Sequence, residues 1–227
     1  EQAAVKDEPT TFQLGFVYRC WTRVNTPDPA RVLPYRKDAP EFAYYTAERK
    51  PHIDFSNDEL KKIAASLTSD GQTNPLILAR RAYDWVARNC IYQYAREYST
   101  LDNISAYTAT RRAGDCGQHG MLFIALCRMC GVPARWATGW EAFGGTGGMH
   151  DWTEFFVEPY GWLPADPDMA VLALHHGDGQ LDTTQTQELV DWMFGSMDHL
   201  RLTVNGDYGM ALDPPKTDFR SETVDFQ

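Results

Sequence analysis

Apolar positions recur every three or four residues in some stretches of this chain and alternate in others, which sketches helices and strands before any chemistry is considered. From Thr11 to Val24, Phe12, Leu14, Phe16, Tyr18 and Cys20 alternate with more polar neighbours, a period-2 pattern that predicts a strand. Pro27, Pro29, Pro34 and Pro40 then exclude a long helix and predict an extended arm lying on the main body. Ser56 and Glu59 have capping-box spacing ahead of Leu60, Ile63, Ala64 and Leu67, so a helix is expected from near Asn57 to before Asp70. Asn74 and Pro75 supply a cap and a first-turn proline for a second helix, with Ala79, Tyr83, Val86 and Cys90 on one face. Ile91 to Tyr94 reads as a short β segment and Asn103 to Arg112 as a short helix.

The chain then reaches its most informative stretch. Gly114 and Gly117 flank Asp115 and Cys116 where a polar turn gives way to the apolar run Met121 to Cys127, so Cys116 is expected on the first turn of a helix that closes at Gly131 and Pro133. Ala134 to Trp140 and His150 to Glu158 predict two strands separated by a mobile glycine-rich loop over 143–148. Pro159, Tyr160 and Gly161 form a turn, and Trp162 to Ala165 a third strand. Gln185 to Phe194 is expected to be helical and Leu200 to Val204 a strand before the Asn205-Gly206 turn. The expected fold class is α+β: a cysteine-bearing helix packed on an antiparallel sheet, with an N-terminal strand and extended arm. The expected division is an arm over 1–56 and a catalytic core over 57–227.

Composition narrows the function classes. A chain of 227 residues with 43% hydrophobic content can bury a substantial core, and the run from Met121 to Cys127 is far too short to span a membrane. The formal net charge of -10 argues against nucleic acid, whose recognition is carried by clustered Lys and Arg. The sequence opens at Glu1 without methionine, as a processed or trimmed product does. Five cysteines leave Cys20, Cys90, Cys127 and Cys130 as thiols or as up to two disulfides if Cys116 is a free nucleophile.

The start of a helix suits a reactive sulfur, because unpaired N–H groups and the positive end of the macrodipole favour thiolate and lower the thiol pKa. Downstream, His150 and Asp166 lie on or beside predicted strands, as a general base and its orienting carboxylate require. The backbone N–H of Cys116 is one natural donor to an oxyanion. The second is open among Tyr98, Tyr107, Gln118 and Trp152, and Gln118 and His119 are expected to satisfy local backbone or line the cleft. The pair His175-His176 ahead of Gly177-Asp178 lacks a third well-spaced metal ligand and reads as loop, and Cys127 with Cys130 reads as core packing. Trp136, Trp140, Trp152 and Trp162 fall on the expected strands, mostly as core, with one or two free to wall a groove.

Three blocks together resemble a known family: Arg112-Ala113-Gly114-Asp115-Cys116-Gly117; Leu126-Cys127-Arg128 with Gly131-Val132-Pro133-Ala134-Arg135; and His150-Asp151-Trp152 with Gly161-Trp162-Leu163-Pro164-Ala165-Asp166-Pro167. They are similar to the bacterial branch of the transglutaminase-like superfamily, most strongly from Asn74 to Pro167. The resemblance implies a papain-like core with Cys116 as nucleophile, His150 as base and Asp166 as acid. It also implies acyl transfer on a peptide, protein or amide-containing glycan or peptide substrate, and an extracytoplasmic location. No cofactor is carried over: the chain lacks the ligand clusters of the calcium-dependent animal enzymes, and only one Cys-x-x-Cys pair stands where the zinc-binding glycanases have two. The expected activity is hydrolysis through a Cys116 thioester rather than cross-linking. The competing reading is a catalytically silent binding or scaffold module that works through its aromatic cleft.

Overall fold

The computed structural model describes residues 11, 13, 15, 17–94, 96, 98–143, 146–177 and 180–209. Its helices and strands, in chain order, are α1 (Pro40–Thr46), α2 (Asp58–Leu67), α3 (Pro75–Asn89), β1 (Ile91–Tyr92), α4 (Ile104–Arg111), β2 (Ala113–Gly114) and α5 (Cys116–Met129). They continue as β3 (Ala134–Phe143), β4 (Thr146–Val157), β5 (Gly161–Ala165), α6 (Pro167–His175), α7 (Thr183–Trp192) and β6 (Arg201–Asn205). The strands β5-β4-β3-β6 form one antiparallel sheet in that order, and β1 and β2 make a separate parallel pair.

The α5 helix is central. Residues 117–128 are all buried, and a helix apolar on every side can only sit inside a domain. It packs across one face of β3 and β4, where Trp136, Phe155, Leu163 and Ala165 meet Met121, Leu122 and Phe123 in the main core. Gly120 makes this approach close, because a Cβ there would stand 3.3 Å from Thr153 Cγ2. The opposite face carries a small second cluster of Ala137, Trp152 and Met197. The expected α+β fold is therefore present, with the cysteine helix on an antiparallel sheet.

Local signals explain the element ends. Asn74 caps α3 by accepting from Leu76 N and Ile77 N, with Pro75 at its first position. The cap of α2 is Asn57, whose side chain accepts from Leu60 N, rather than the Ser56 of the capping-box reading. α5 closes where Gly131 takes φ +76°, a left-handed conformation that glycine adopts without steric cost.

Four expectations need correction. The predicted strand over Thr11 to Val24 is reduced, among the described residues, to one bridge between Arg23 and Met197. Of the apolar face, Tyr18 is exposed and Cys20 is half-buried with its thiol donating to Arg201 O at 3.2 Å, so no sheet buries its described members; Phe12, Leu14 and Phe16 lie outside the described residues. The glycine-rich stretch over 143–148 is not a long loop: β3 runs to Phe143 and β4 starts at Thr146, with full register between them, while positions 144 and 145 lie outside the described residues. The α6 helix was not anticipated; it carries His175 in its last turn, where Nε2 bonds Ala87 O at 2.9 Å, and Asp178 lies outside the described residues. The α7 helix begins two residues early because Asp182 and Gln185 form a capping box.

Described segments before α2 contact the sheet and α5, and they include the short helix α1. Leu33 N bonds Glu158 O at 2.9 Å, Tyr35 Oη bonds the carbonyl of Phe156, and buried Arg128 donates to Ala47 O and twice to Ala134 O. Trp136 and Trp152 are buried, whereas Trp140 is exposed. Trp162 lines a cavity of about 350 Å³ with Tyr35, Phe42 and Phe156.

The edge strand β6 depends on Gly139, where a Cβ would overlap the carbonyl oxygen of Leu202. Gly139→Ala is expected to lower stability by about 1–3 kcal/mol, the usual scale for overpacking, and to loosen β6. Urea unfolding together with amide exchange at residues 201–205 checks this.

Candidate active site

The chain enters the site through β2, held by β1, and through Arg112 at φ 56°. That left-handed residue is secured by Arg112 Nε to Ala109 O at 2.7 Å, by Glu59 at 3.1 Å and by packing over Trp85. Asp115 then caps α5, its Oδ1 accepting from Gln118 N at 3.0 Å and from the Tyr98 hydroxyl. Cys116 thus stands on the first residue of the helix, as its flanking glycines predict.

The surroundings of the sulfur differ from expectation. Cys116 Sγ lies 3.5 Å from Asp151 Oδ2, and the thiol pKa is pushed up, first by burial and then by the carboxylates of Asp151, Asp115 and Asp168. A helix N-terminus alone would lower it. Burial, together with the carboxylates that fold around this one, reverses that effect and favours the protonated thiol.

β4 determines what the sulfur meets. Successive side chains on a strand point to opposite faces, so His150 and Asp151 cannot both face α5. Asp151 does: a Cβ on Gly117 would stand 2.8 Å from its Oδ2. His150 stacks on Trp152 at 6.2 Å between centroids, and its Nε2 bonds Asp166 Oδ2 at 2.7 Å. Of the three expected site residues, His150 and Asp166 are brought into direct contact. Cys116 bonds Asp151, and among the described residues no hydrogen bond joins the thiol to His150.

Asp166 is fully buried between β5 and α6. Its Oδ1 caps α6 by accepting from Met169 N at 2.9 Å. Its Oδ2 accepts from His150 and, at 2.5 Å, from Arg201 Nη1. Burial alone would raise its pKa, but the charges of His150 and Arg201 hold it well below the usual carboxylate range. Burial likewise works against the charged form of His150, and the charge and hydrogen bond of Asp166, with help from Glu141, outweigh it and raise the imidazole to about 9.

Sequence reasoning missed Arg201, Glu141, Asp198 and Asp168. Arg201 binds Asp198 at 2.9 Å through Nε and lies 3.3 Å from Glu141 through Nη2. Ligand atoms of Glu141, His150 and Asp166 lie within 4.8 Å of one another, but the guanidinium among them already supplies positive charge, so the set is read as an ion cluster. His119, expected to serve local backbone or the cleft, instead bonds Asp168 through Nδ1 at 2.7 Å and ties the first turns of α5 and α6 together. No spacing rule links residues 141, 198 and 201 to residue 166, because their meeting is set by sheet order. All five cysteines are free.

Comparison with known proteins agrees with this architecture. Residues 61–167 match the family model of the transglutaminase-like superfamily. This stretch, a little under half of the chain, is similar to a transglutaminase-like core. It is 26% identical over 196 residues to a Haemophilus influenzae protein described as uncharacterized, covering 74% of this chain and 50% of that protein. It is 23% identical over 160 residues to YebA of Bacillus subtilis, also described as uncharacterized, covering 62% of this chain and 21% of YebA. The chain therefore spans half or less of the length of these two relatives. A candidate cysteine protease from Cytophaga hutchinsonii superposes with a TM-score of 0.50 at 23% identity, over 62% of this chain and 46% of that one, which supports a shared papain-like fold. The periplasmic domain of TgpA from Pseudomonas aeruginosa gives a TM-score of 0.48 at 18% identity, over 62% of this chain and 51% of that one.

The ion cluster predicts a definite pH response. An unfolded histidine titrates near about 6.5, so with a folded value of about 9 the contribution of His150 is fully present below pH ~6.5 and is lost as pH rises through 9. Asp166 has the opposite sign: its contribution is present above the unfolded carboxylate value of about 3.9 and is lost as pH falls through its depressed folded value. NMR titration should find His150 protonated at pH 7. Arg201→Met, which removes a positive neighbour, should raise the His150 midpoint further.

Proposed function

We propose that the protein is a thiol-dependent acyl-transfer enzyme acting on amide or peptide bonds, with Cys116 as nucleophile, His150 as base, Asp166 as orienting acid and water as the acceptor. The observation that carries this reading is the buried hydrogen bond from His150 Nε2 to Asp166 Oδ2. A carboxylate that holds one ring nitrogen fixes the tautomer and leaves Nδ1 for proton exchange. The transglutaminase-like core supports the assignment, as does the position of Cys116 at the start of α5.

In this reading the contact between Cys116 and Asp151 is the resting state, in which the thiol is protonated. Turnover requires neutral imidazole to reach the sulfur. The sulfur gives its proton to Nδ1 and attacks the carbonyl carbon, and the backbone N–H of Cys116, unsatisfied within the helix, faces the oxyanion. Collapse of the intermediate breaks the C–N bond, the imidazolium protonates the departing amine, and a thioester remains. Water, giving a proton to the same nitrogen, attacks the thioester and releases the acid and the free thiol. Among the expected second donors, Trp152 lies on the opposite sheet face beside His150, and the Tyr98 hydroxyl is donated to Asp115. The extracytoplasmic location implied by the resemblance belongs to this reading; no helix of the described residues is long and apolar enough to cross a membrane.

A second reading, a silent module, is favoured by the thiol's raised pKa and by the separate aromatic cavity of about 350 Å³. Alkylation separates the two. For the enzyme, iodoacetamide should label Cys116 at neutral pH at least about tenfold faster than Cys20 or Cys130, and His150→Gln should remove most of that advantage. Asp151→Asn, which deletes a negative neighbour, should accelerate labelling further. Cys116→Ala should abolish hydrolysis of a fluorogenic peptide amide while leaving the circular dichroism spectrum unchanged. Equal, slow labelling of the half-buried Cys20, Cys116 and Cys130 would support the silent module.

A further inference from the structure

A polar cavity of about 180 Å³ opens beside the candidate nucleophile, bounded by Tyr94 and Arg96 after β1, by Tyr107 and Arg111 of α4, and by Gly114 and Gln118. Gly114 and Gln118 stand two residues to either side of Cys116, so the cavity lies within one helical turn of the nucleophile's backbone, although Cys116 itself does not line it. We propose that this cavity is a substrate-recognition subsite for a carboxylate carried by the acyl portion of the substrate, making acidic peptides the preferred class. The proposal rests on the reading of Cys116 as nucleophile.

Three observations converge on it. First, two guanidinium groups line the cavity, and among the described residues neither is paired with a carboxylate; Arg96 gives its Nε to Thr100 Oγ1 at 2.9 Å and keeps its terminal nitrogens. By contrast Arg23, Arg49, Arg80, Arg81, Arg112, Arg135 and Arg201 all have acidic partners.

Second, Gln118 is 1% exposed, and its Nε2 is buried with no hydrogen-bond partner. A buried donor without a partner is unfavourable, and an acceptor bound in the cavity would satisfy it once the amide turns toward the opening. Third, Gly114 makes room for this arrangement, because a Cβ there would stand 2.6 Å from Gln118 Oε1. The nearby carboxylate of Asp115 is engaged by the Tyr98 hydroxyl and Gln118 N, so it does not neutralise the two arginines. An amide donor and two planar guanidinium forks form a set that matches a carboxylate.

The test uses the full chain and the probe glutarate, with its neutral diamide glutaramide as control, at low ionic strength. Glutarate should produce a saturable shift of the Gln118 side-chain amide signals in ¹H–¹⁵N spectra, and glutaramide should not. Arg96→Gln combined with Arg111→Gln, two exposed positions, should weaken glutarate at least fivefold. On paired peptide amides carrying Glu or Gln, the wild-type kcat/KM preference for Glu should be several-fold and should fall to near unity in the double variant. Equal shifts from glutarate and glutaramide, or glutarate binding unaffected in the double variant, would overturn the subsite. Glutarate binding that persists in a chain whose Cys116 alkylates no faster than Cys20 would leave the subsite standing and remove the catalytic reading instead.

Discussion

The pleat of β4 at residues 150 and 151 sets the terms for the site. Adjacent residues on a strand must face opposite ways, and here both bear chemistry. Asp151 turns toward α5 and the sulfur, while His150 turns toward Trp152, Asp166 and Arg201. This geometry accounts for two properties at once: a thiol whose protonated form is favoured by burial and neighbouring carboxylates, and an imidazole whose protonated form is favoured by a different carboxylate. The site at rest is therefore arranged as two separate proton stores, each stable, with a strand between them.

The second store is expensive to build. Burying Asp166 and Arg201 removes two charges from water, and such a pair is offset only when geometry satisfies nearly every donor and acceptor. Asp166 achieves this with three donors, from His150, Arg201 and the backbone of Met169. Arg201 reaches it from β6, the far edge of the sheet, well beyond the residues that match the family model. The acid at the end of β5 is thus held in place by a strand that the core motif does not contain.

Much of this architecture was legible in the sequence because local signals agreed with tertiary ones. The cap at Asn74, the glycine stop at Gly131 and the turn at Gly161 each fix a boundary by short-range physics. The α5 helix was the clearest, since an apolar run of that length leaves no other solution. The N-terminal alternation misled because period-2 patterning predicts a strand only if a partner edge exists, and no sheet buries the exposed Tyr18 or Val24. The glycine-rich stretch misled for the converse reason: glycine weakens a strand, but pairing along the whole of β3 carried the hairpin through it. The candidate residues were found by their neighbours in sequence. Their directions were not, because whether a strand residue faces the helix depends on the register of the sheet.

Asp166 joins two duties in one short side chain. One oxygen starts a helix and the other anchors an imidazole and a guanidinium. Asparagine would keep the reach but lose the charge, and glutamate would keep the charge but overshoot the cap. Position 166 therefore has no conservative replacement: the helix start and the ion cluster draw on the same carboxylate, and neither can be tuned there without disturbing the other.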